Sequence, residues 1–175
     1  MDALLVVDMQ VGLLNADPKH DLAGVVERIN RLAAHTRDQA GRVIFVQHCG
    51  IAGDDFAPDT PGWALLPDLQ RDASDIVVNK SLNDPFTGTG LQALLQQIAP
   101  DRVLVTGWAT DLCVDATVRA AVAHDHHVVA VADGHTLSDR PHLDAASIIR
   151  HHNWVWSELI TRRSITVAAT DALMS

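Results

Sequence analysis

Short apolar runs alternate with longer amphipathic stretches along the whole chain. The apolar runs predict strands buried on both faces, at 3–7, 43–46, 75–78, 102–106 and 127–132. Apolar residues spaced three and four apart predict helices over 21–37, 89–98, 110–124 and 140–152. Residues 49–75 are rich in Gly, Pro and Asp and predict a long loop with a short helical turn over 63–66. The pattern beyond residue 154 is ambiguous and allows a last strand over 164–168.

Strands that alternate with helices of this length indicate a parallel sheet with helices on both faces. We therefore expect an α/β protein, a three-layer α/β/α fold around a mostly parallel, Rossmann-like central sheet. The chain of 175 residues has the length of one ordinary domain, so we expect residues 1–175 to form a single domain.

Composition narrows the class of partner. Thirteen basic residues against 22 acidic ones give a net charge of −9, which disfavours binding to a nucleic-acid backbone. The apolar runs are too short to span a bilayer, and the chain opens on a strand without an export signal. Two cysteines are too few for a disulfide scaffold. We expect a cytoplasmic protein that acts on a small molecule and has neither nucleic-acid nor membrane partners.

Two charged residues follow predicted strands directly, where an open parallel sheet binds its ligand. Asp8 ends the first apolar run, and Lys80, one of only two lysines, ends the third. A lysine that faces Asp8 would keep the carboxylate charged and could stabilise a nearby thiolate. The alternatives are an Asp that caps the next turn and a solvated loop lysine.

A cysteine follows the fourth predicted strand. Thr110 is a good N-cap residue for the next helix, so Cys113 falls in its first turn. Backbone N–H groups and the helix dipole there lower the pKa of a thiol, and the same N–H groups could bind an oxyanion. A small buried cysteine without chemistry is the alternative.

Taken in order, these residues and their flanking motifs resemble the isochorismatase-like cysteine hydrolases over about residues 3–140. The matching motifs are Leu-Leu-Val-Val-Asp-Met-Gln at 4–10, Pro-Gly-Trp at 61–63, Lys80 with Asp-Pro-Phe at 84–86 and Gly-Thr at 88–89, Gly-x-Ala-Thr-x-x-Cys-Val at 107–114, and Val-Ala-Asp-Gly-His-Thr at 131–136. The resemblance implies the three-layer fold and a catalytic triad of Asp8, Lys80 and Cys113. It also implies a cis peptide before Ala109 and an oxyanion hole formed by the N–H groups of Ala109 and Cys113.

The sequence departs from the metal-binding nicotinamidase branch of that family. That branch holds a divalent metal through an Asp-x-His after the second strand and a further His before the lysine. Here the segment is Gln47-His48-Cys49, and no His lies between His48 and Lys80. We therefore expect no metal and no other cofactor. A site formed by His48, Cys49 and either Asp54 or Asp55 remains an alternative.

The sequence thus predicts a metal-independent cysteine hydrolase that cleaves a small amide-like C–N bond through a thioester. Cys113 attacks the carbonyl, Asp8 accepts the thiol proton, and Lys80 holds Asp8. His48, Trp63, Phe86 and Trp108 are the candidate substrate-pocket residues, because they lie in loops expected at the same edge. Two alternatives stay open: an isochorismatase-type vinyl-ether hydrolase that uses Asp8 and Lys80 with Cys113 as a bystander, and a catalytically idle binding or assembly module.

We also expect a homo-oligomer. Trp108, Trp154 and Trp156 are a large share of the few aromatic residues, and the Trp-Val-Trp segment is too apolar to lie fully in water. The family that the sequence resembles is commonly oligomeric.

Overall fold

The computed structural model describes residues 1–174; Ser175, the last residue of the predicted domain, lies outside them. Within residues 1–174, six strands form one parallel sheet in the order β3-β2-β1-β4-β5-β6. The strands are Asp2–Val7 (β1), Arg42–His48 (β2), Ile76–Lys80 (β3), Arg102–Trp108 (β4), Val128–Thr136 (β5) and Ile165–Ala168 (β6). This is the strand order of a doubly wound, Rossmann-like sheet, and it reverses between β1 and β4. The predicted fold class is confirmed, with every strand parallel.

Helices cover both faces of the sheet. They are Val11–Leu14 (α1), Leu22–Asp38 (α2), Leu91–Ile98 (α3), Asp115–Ala123 (α4), Ala145–Ser157 (α5) and Thr170–Leu173 (α6). Leu4 and Val6 of β1 pack toward α2, whereas Leu5 and Val7 pack toward α3 and α4. This alternation explains the continuous apolar run in the sequence, because both faces of β1 are buried.

Several predictions for individual elements are wrong, and three of the differences have identifiable physical reasons. β5 continues past residue 132 to Thr136, because the polar side chains in this extension are buried with hydrogen-bond partners that an apolar pattern cannot reveal. α5 begins at residue 145 rather than 140, because Asp144 caps it by accepting the N–H of Ser147 at 2.8 Å. Residues 63–66 form no helix, and Leu65 instead bridges to Gln10.

The three tryptophans behind the expected self-association have different environments. Trp156 is fully buried, and its Nε1 donates to Asp115 Oδ1 at 2.8 Å. Trp108 packs against two of the apolar clusters, whereas Trp154 is 62% exposed. The Trp-Val-Trp segment therefore presents one tryptophan rather than two to solvent, and the homo-oligomer stays a prediction.

Along residues 1–174, no helix combines the length and the apolar character that crossing a bilayer requires.

Gly107 allows β4 to lie against β1 where the strand order reverses. It pairs with Val7, its φ is +120°, and the register between β4 and β5 shifts beside it. A Cβ at this position would lie 2.6 Å from the Val7 nitrogen, closer than real Cβ atoms approach backbone. Only glycine fits both the conformation and the space.

We expect Gly107→Ala to lower the free energy of unfolding by about 3 kcal/mol or more, since left-handed strain and overlap with Val7 add. Gly53→Ala is the matched control, because Gly53 has a φ of +99° but open space around its Cβ position. Gly53→Ala should lower the free energy of unfolding only by the backbone strain, about 1–2 kcal/mol. Urea unfolding of both variants measures the difference, and equal losses would show that the contact with Val7 is unimportant.

Candidate active site

The three residues of the predicted triad lie together at the carboxyl edge of the sheet. Asp8 follows β1, Lys80 ends β3, and Cys113 lies in the turn after β4. Lys80 Nζ is 2.7 Å from Asp8 Oδ2 and 3.4 Å from Cys113 Sγ. One ammonium group thus contacts both other members of the triad. They meet where the strand order reverses, which is the place at which sheets of this kind bind ligands.

Asp8 and Lys80 form a buried ion pair, since each is at most 2% exposed. Asp8 has a φ of +53°, and its N–H donates to the Val46 carbonyl at 2.8 Å. Its second oxygen, Oδ1, is buried and has no hydrogen-bond partner within residues 1–174. Burial raises the pKa of the Asp8 carboxyl, against the opposing charge of Lys80. The site therefore contains a carboxylate with one oxygen held by Lys80 and the other free to accept a proton.

Cys113 lies in one turn of π-helix, Thr110–Val114, which precedes α4. The N–H of Val114 donates to the Ala109 carbonyl, five residues back, at 3.1 Å. The predicted continuous helix over 110–124 is therefore divided into a π-turn and α4. Such turns are rare and often occur at functional sites.

The environment of the Cys113 thiol differs from the expected one. Burial, and then the negative charge of Asp8, raise the pKa of Cys113 to about 12, and the charge of Lys80 only partly opposes them. The expectation of a lowered thiol pKa was wrong, because a buried position beside a carboxylate outweighs the start of a helix. The thiol keeps its proton near pH 7 and becomes nucleophilic when that proton passes to a base.

A backbone donor faces the same turn. The peptide between Trp108 and Ala109 is cis, as the resemblance implies. Within the described part of the chain, no group accepts a hydrogen bond from the Ala109 N–H. Ala109 is fully buried and adjoins the π-turn that holds Cys113. Its N–H is thus an available donor beside the thiol, as the predicted oxyanion hole requires.

His48 lies next to the triad. It pairs with Lys80 in the sheet register, and its ring is 5.6 Å from that of Phe56 between centroids. Burial, and then the charge of Lys80, lower the pKa of His48, although Asp8 opposes this. The imidazole is neutral at pH 7 and can contact a substrate without adding charge.

Of the other predicted pocket residues, Phe86 is buried, whereas Trp63 and Trp108 are half-buried like His48. Phe86 belongs to the apolar cluster that contains Cys113, and it stacks on His124 with ring centroids 4.8 Å apart. The indole nitrogens of Trp63 and Trp108 are buried without a hydrogen-bond partner in residues 1–174. A pocket role for these three residues and for His48 stays a prediction.

Gln10 is a site residue that sequence reasoning missed. It is fully buried, and its Nε2 donates to the carbonyls of His48 and Trp63, both at 2.9 Å. Its Oε1 accepts the His48 N–H at 2.7 Å, and Gln47 Nε2 donates to the same Trp63 carbonyl at 2.7 Å. Two glutamines thus tie the long loop to the edge of the sheet. A polar residue just after a buried strand is the available signal, but its distant partners are not visible in sequence.

Asn83 is a second missed residue. Its Oδ1 is 3.8 Å from Cys113 Sγ, and the residue is exposed. It lies in the loop between Lys80 and the Asp-Pro-Phe motif, where neither spacing nor periodicity distinguishes it from its neighbours.

Within residues 1–174, no three His, Cys, Asp or Glu side chains are grouped to hold a metal ion. In particular, Asp54, a proposed partner of His48 and Cys49, accepts the N–H of Ile51 at 3.0 Å. Whether activity depends on a metal is a question for chelation of the active protein.

Comparison with known proteins identifies similar sequences. Residues 2–161 match the isochorismatase domain. A streptothricin hydrolase from Streptomyces noursei is 36% identical over 142 residues, which cover 81% of this chain and 51% of that protein. A ureidoacrylate amidohydrolase from Methylorubrum extorquens is 26% identical, with 83% of this chain and 73% of that protein covered. The chain spans about half the length of the streptothricin hydrolases that it matches.

Solved structures show the same fold. A crystal structure of an isochorismatase family protein has a TM-score of 0.85 and 28% identity, covering 96% of this chain and 98% of that one. A putative isochorismatase from Burkholderia xenovorans has a TM-score of 0.86 and 29% identity, covering 99% of this chain and 85% of that one.

We expect Lys80→Met to lower the free energy of unfolding by about 3–5 kcal/mol at neutral pH, because Asp8 would remain as an unpaired buried charge. The double variant Asp8→Asn with Lys80→Met should recover most of this loss, since neither charge remains. The loss of stability in Lys80→Met should become smaller as the pH falls, because Asp8 takes up a proton and its buried charge disappears. Urea unfolding at several pH values measures these effects. A single variant as stable as wild type would show that the pair is not buried.

The raised pKa predicts how Cys113 reacts with iodoacetamide. In a Cys49→Ser background, the labelling rate should climb about tenfold per pH unit from pH 7 to about pH 11 without a plateau. Asp8→Asn removes a negative charge that raises the thiol pKa, so labelling at pH 8–9 should become faster. A plateau below pH 8 in the parent would instead indicate a resting thiolate.

Proposed function

Because the chain belongs to the isochorismatase family, we propose that it is a metal-independent cysteine hydrolase that cleaves a small amide-like C–N bond through a thioester. The observation that carries this proposal is the shared contact of Lys80 Nζ with Asp8 Oδ2 and Cys113 Sγ. This contact joins a carboxylate, an ammonium group and a thiol, which supports roles for them as base, cation and nucleophile. The amidohydrolase among the relatives supports the class of bond.

In the first step, Cys113 Sγ forms a bond to the substrate carbonyl carbon as its proton passes to Asp8. The carbonyl π electrons move onto oxygen, and the N–H groups of Ala109 and Cys113 stabilise the oxyanion. The raised pKa of the thiol favours proton transfer that accompanies the attack over transfer that precedes it. Asp8 Oδ1, which is buried and unpartnered among the described residues, is the available proton acceptor.

The tetrahedral intermediate then collapses. The C–N bond breaks, and Asp8 returns the proton to the departing nitrogen, which leaves a thioester on Cys113. A water molecule attacks the thioester carbon and gives one proton to Asp8. The C–S bond breaks, the acid product leaves, and the proton on Asp8 returns to sulfur. Lys80 remains protonated throughout and stabilises whichever of Asp8 and Cys113 carries negative charge.

The charges around the thiol suggest the charge of the substrate. Asp8 and Lys80 are the charged groups that shift the pKa of Cys113, and they offset one another. The guanidinium of Arg140 donates to both carboxylate oxygens of Asp111, a residue of the π-turn, at 2.7 and 2.8 Å, so its charge is already paired. Among residues 1–174, no cation other than the paired Lys80 shifts the pKa of Cys113, so neutral or cationic amides fit better than anionic ones.

A second candidate is an isochorismatase-type vinyl-ether hydrolase. It is favoured by one observation, which is that the Asp8–Lys80 pair at 2.7 Å is complete without the thiol. In that chemistry Asp8 would act as the acid, and Cys113 would be a bystander.

A panel of small amides, ureas, lactams and vinyl ethers, assayed for ammonia and acid release, tests the proposal. We expect hydrolysis of a neutral or cationic amide-like compound, unchanged after exhaustive chelation. Cys113→Ala should lower its kcat by at least about 10³-fold, because the covalent route is lost. Cys49→Ser is the matched control and should retain the activity.

Other outcomes would contradict the proposal in different ways. Vinyl-ether cleavage that survives Cys113→Ala would establish the second candidate. Loss of amide hydrolysis on chelation, restored by zinc or iron, would show a metal-dependent enzyme. Absence of turnover across the panel, with a correctly folded protein, would favour a binding or assembly module.

A further inference from the structure

A buried chain of hydrogen bonds lies behind the π-turn and has no part in the mechanism above. Thr110 Oγ1 is 2.8 Å from His135 Nδ1. His135 Nε2 is 3.1 Å from Asn153 Oδ1, and Asn153 Nδ2 donates to the Ala132 carbonyl at 2.9 Å. The chain connects the π-turn to β5 and α5.

The carbonyl at one end of this chain of hydrogen bonds fixes the direction of every bond in it. The Ala132 carbonyl can only accept, so the Asn153 amide nitrogen faces it and Oδ1 faces His135. His135 Nε2 must therefore carry the hydrogen. In a neutral imidazole, Nδ1 is then an acceptor, and the Thr110 hydroxyl donates to it. Burial lowers the pKa of His135 to about 4, so the ring is neutral at pH 7.

This use of Thr110 explains why it does not cap the helix as predicted. The N-cap position is Ala109, and the Thr110 side chain makes no capping bond. Its hydroxyl is instead committed to the buried imidazole. Thr110 is itself fully buried and joins Ala109, whose N–H is free, to the turn that carries Cys113. Its side chain is thus one point at which the turn is fixed to the rest of the fold, through His135 of β5.

The far end of the turn is fixed separately. The hydroxyl of Thr117 in α4 donates to the Cys113 carbonyl at 2.6 Å. The Asp111–Arg140 ion pair also holds the turn, but both side chains are more than 20% exposed. The Thr110–His135 contact, in contrast, is a fully buried side-chain hydrogen bond at the residue that directly follows Ala109.

We propose that His135 is a positioning residue: as a neutral Nε2–H imidazole it holds Thr110, and through Thr110 it orients the Ala109 and Cys113 N–H groups toward the oxyanion. This inference rests on the proposed function. It concerns the rate of the chemical step rather than binding of the substrate, because the oxyanion forms only during reaction.

Kinetics of Thr110→Val, His135→Leu and the double variant test the inference. We expect each single change to lower kcat about 10- to 100-fold with little change in KM, since small misplacement of a reacting group has costs of this size. The double variant should be no slower than the slower single one, because both changes break the same contact. Thr110→Ser keeps the hydroxyl and should restore most of the rate.

Thr106→Val is the matched control. Thr106 is equally buried, and its hydroxyl donates to the Leu5 carbonyl at 2.9 Å, away from the turn. The kcat of the Thr106→Val variant should stay near that of wild type. If His135→Leu does not fold, the comparison of Thr110→Val with Thr110→Ser and Thr106→Val decides alone.

The outcomes separate this inference from the proposed function. If wild type hydrolyses an amide and Thr110→Val is no slower than Thr106→Val, only the positioning role is overturned. Multiplicative losses in the double variant would overturn it as well. If wild type hydrolyses nothing, the proposed function fails, and this inference fails with it. Nitrogen NMR of wild type adds a readout independent of turnover, since a hydrogen on His135 Nδ1 would contradict the assigned tautomer.

Discussion

A buried ion pair between residues on two non-adjacent strands constrains the rest of the site. Each charge of Asp8 and Lys80 would cost several kcal/mol to bury alone, so the fold must bring both to one place or exclude both. β2 lies between β1 and β3, and the pair spans it only because Lys80 points to the face where the thiol lies. The left-handed backbone at Asp8 belongs to the same arrangement, since it turns the chain where the carboxylate meets Nζ. The register of three strands is thereby coupled to one contact of 2.7 Å.

Burial and the same ion pair together set the pKa of the Cys113 thiol. A cation alone beside Cys113 would favour a thiolate, but the carboxylate that Lys80 holds acts in the opposite sense, as burial does. The thiol is therefore protonated near pH 7, and in the proposed mechanism it loses its proton only as it attacks a substrate carbonyl. A site of this kind protects its cysteine from adventitious alkylation and oxidation, because both reactions need the thiolate. Because the thiol is not a resting thiolate, the proposed reaction depends on how accurately the backbone N–H groups are oriented toward the oxyanion.

Much of this arrangement could be predicted from sequence, and the rest fails for a physical reason. Asp8 and Lys80 follow apolar runs directly, and the carboxyl ends of parallel strands share one edge, so local pattern suffices to place them together. The motif resemblance implied the role of Cys113 and the cis peptide. The pKa of Cys113 could not be predicted, because it depends on burial and on a carboxylate more than one hundred residues away in the chain. Gln10 and His135 were missed for the same reason, since a buried polar side chain is explained by partners that periodicity does not reveal.

The attachment of the Trp63 carbonyl to two glutamine side chains has a consequence for how such proteins diversify. It divides the connection between β2 and β3 into an anchored portion and a segment, residues 50–60, whose backbone hydrogen bonds are made within the loop. Loop-closure entropy changes only slowly with length, so insertions or replacements in that segment leave the ion pair and the thiol where they are. One surface segment can then be exchanged while Asp8, Lys80 and Cys113 keep their mutual contacts. The fold thus separates a surface segment that can vary from the buried side chains that meet at the edge of the sheet.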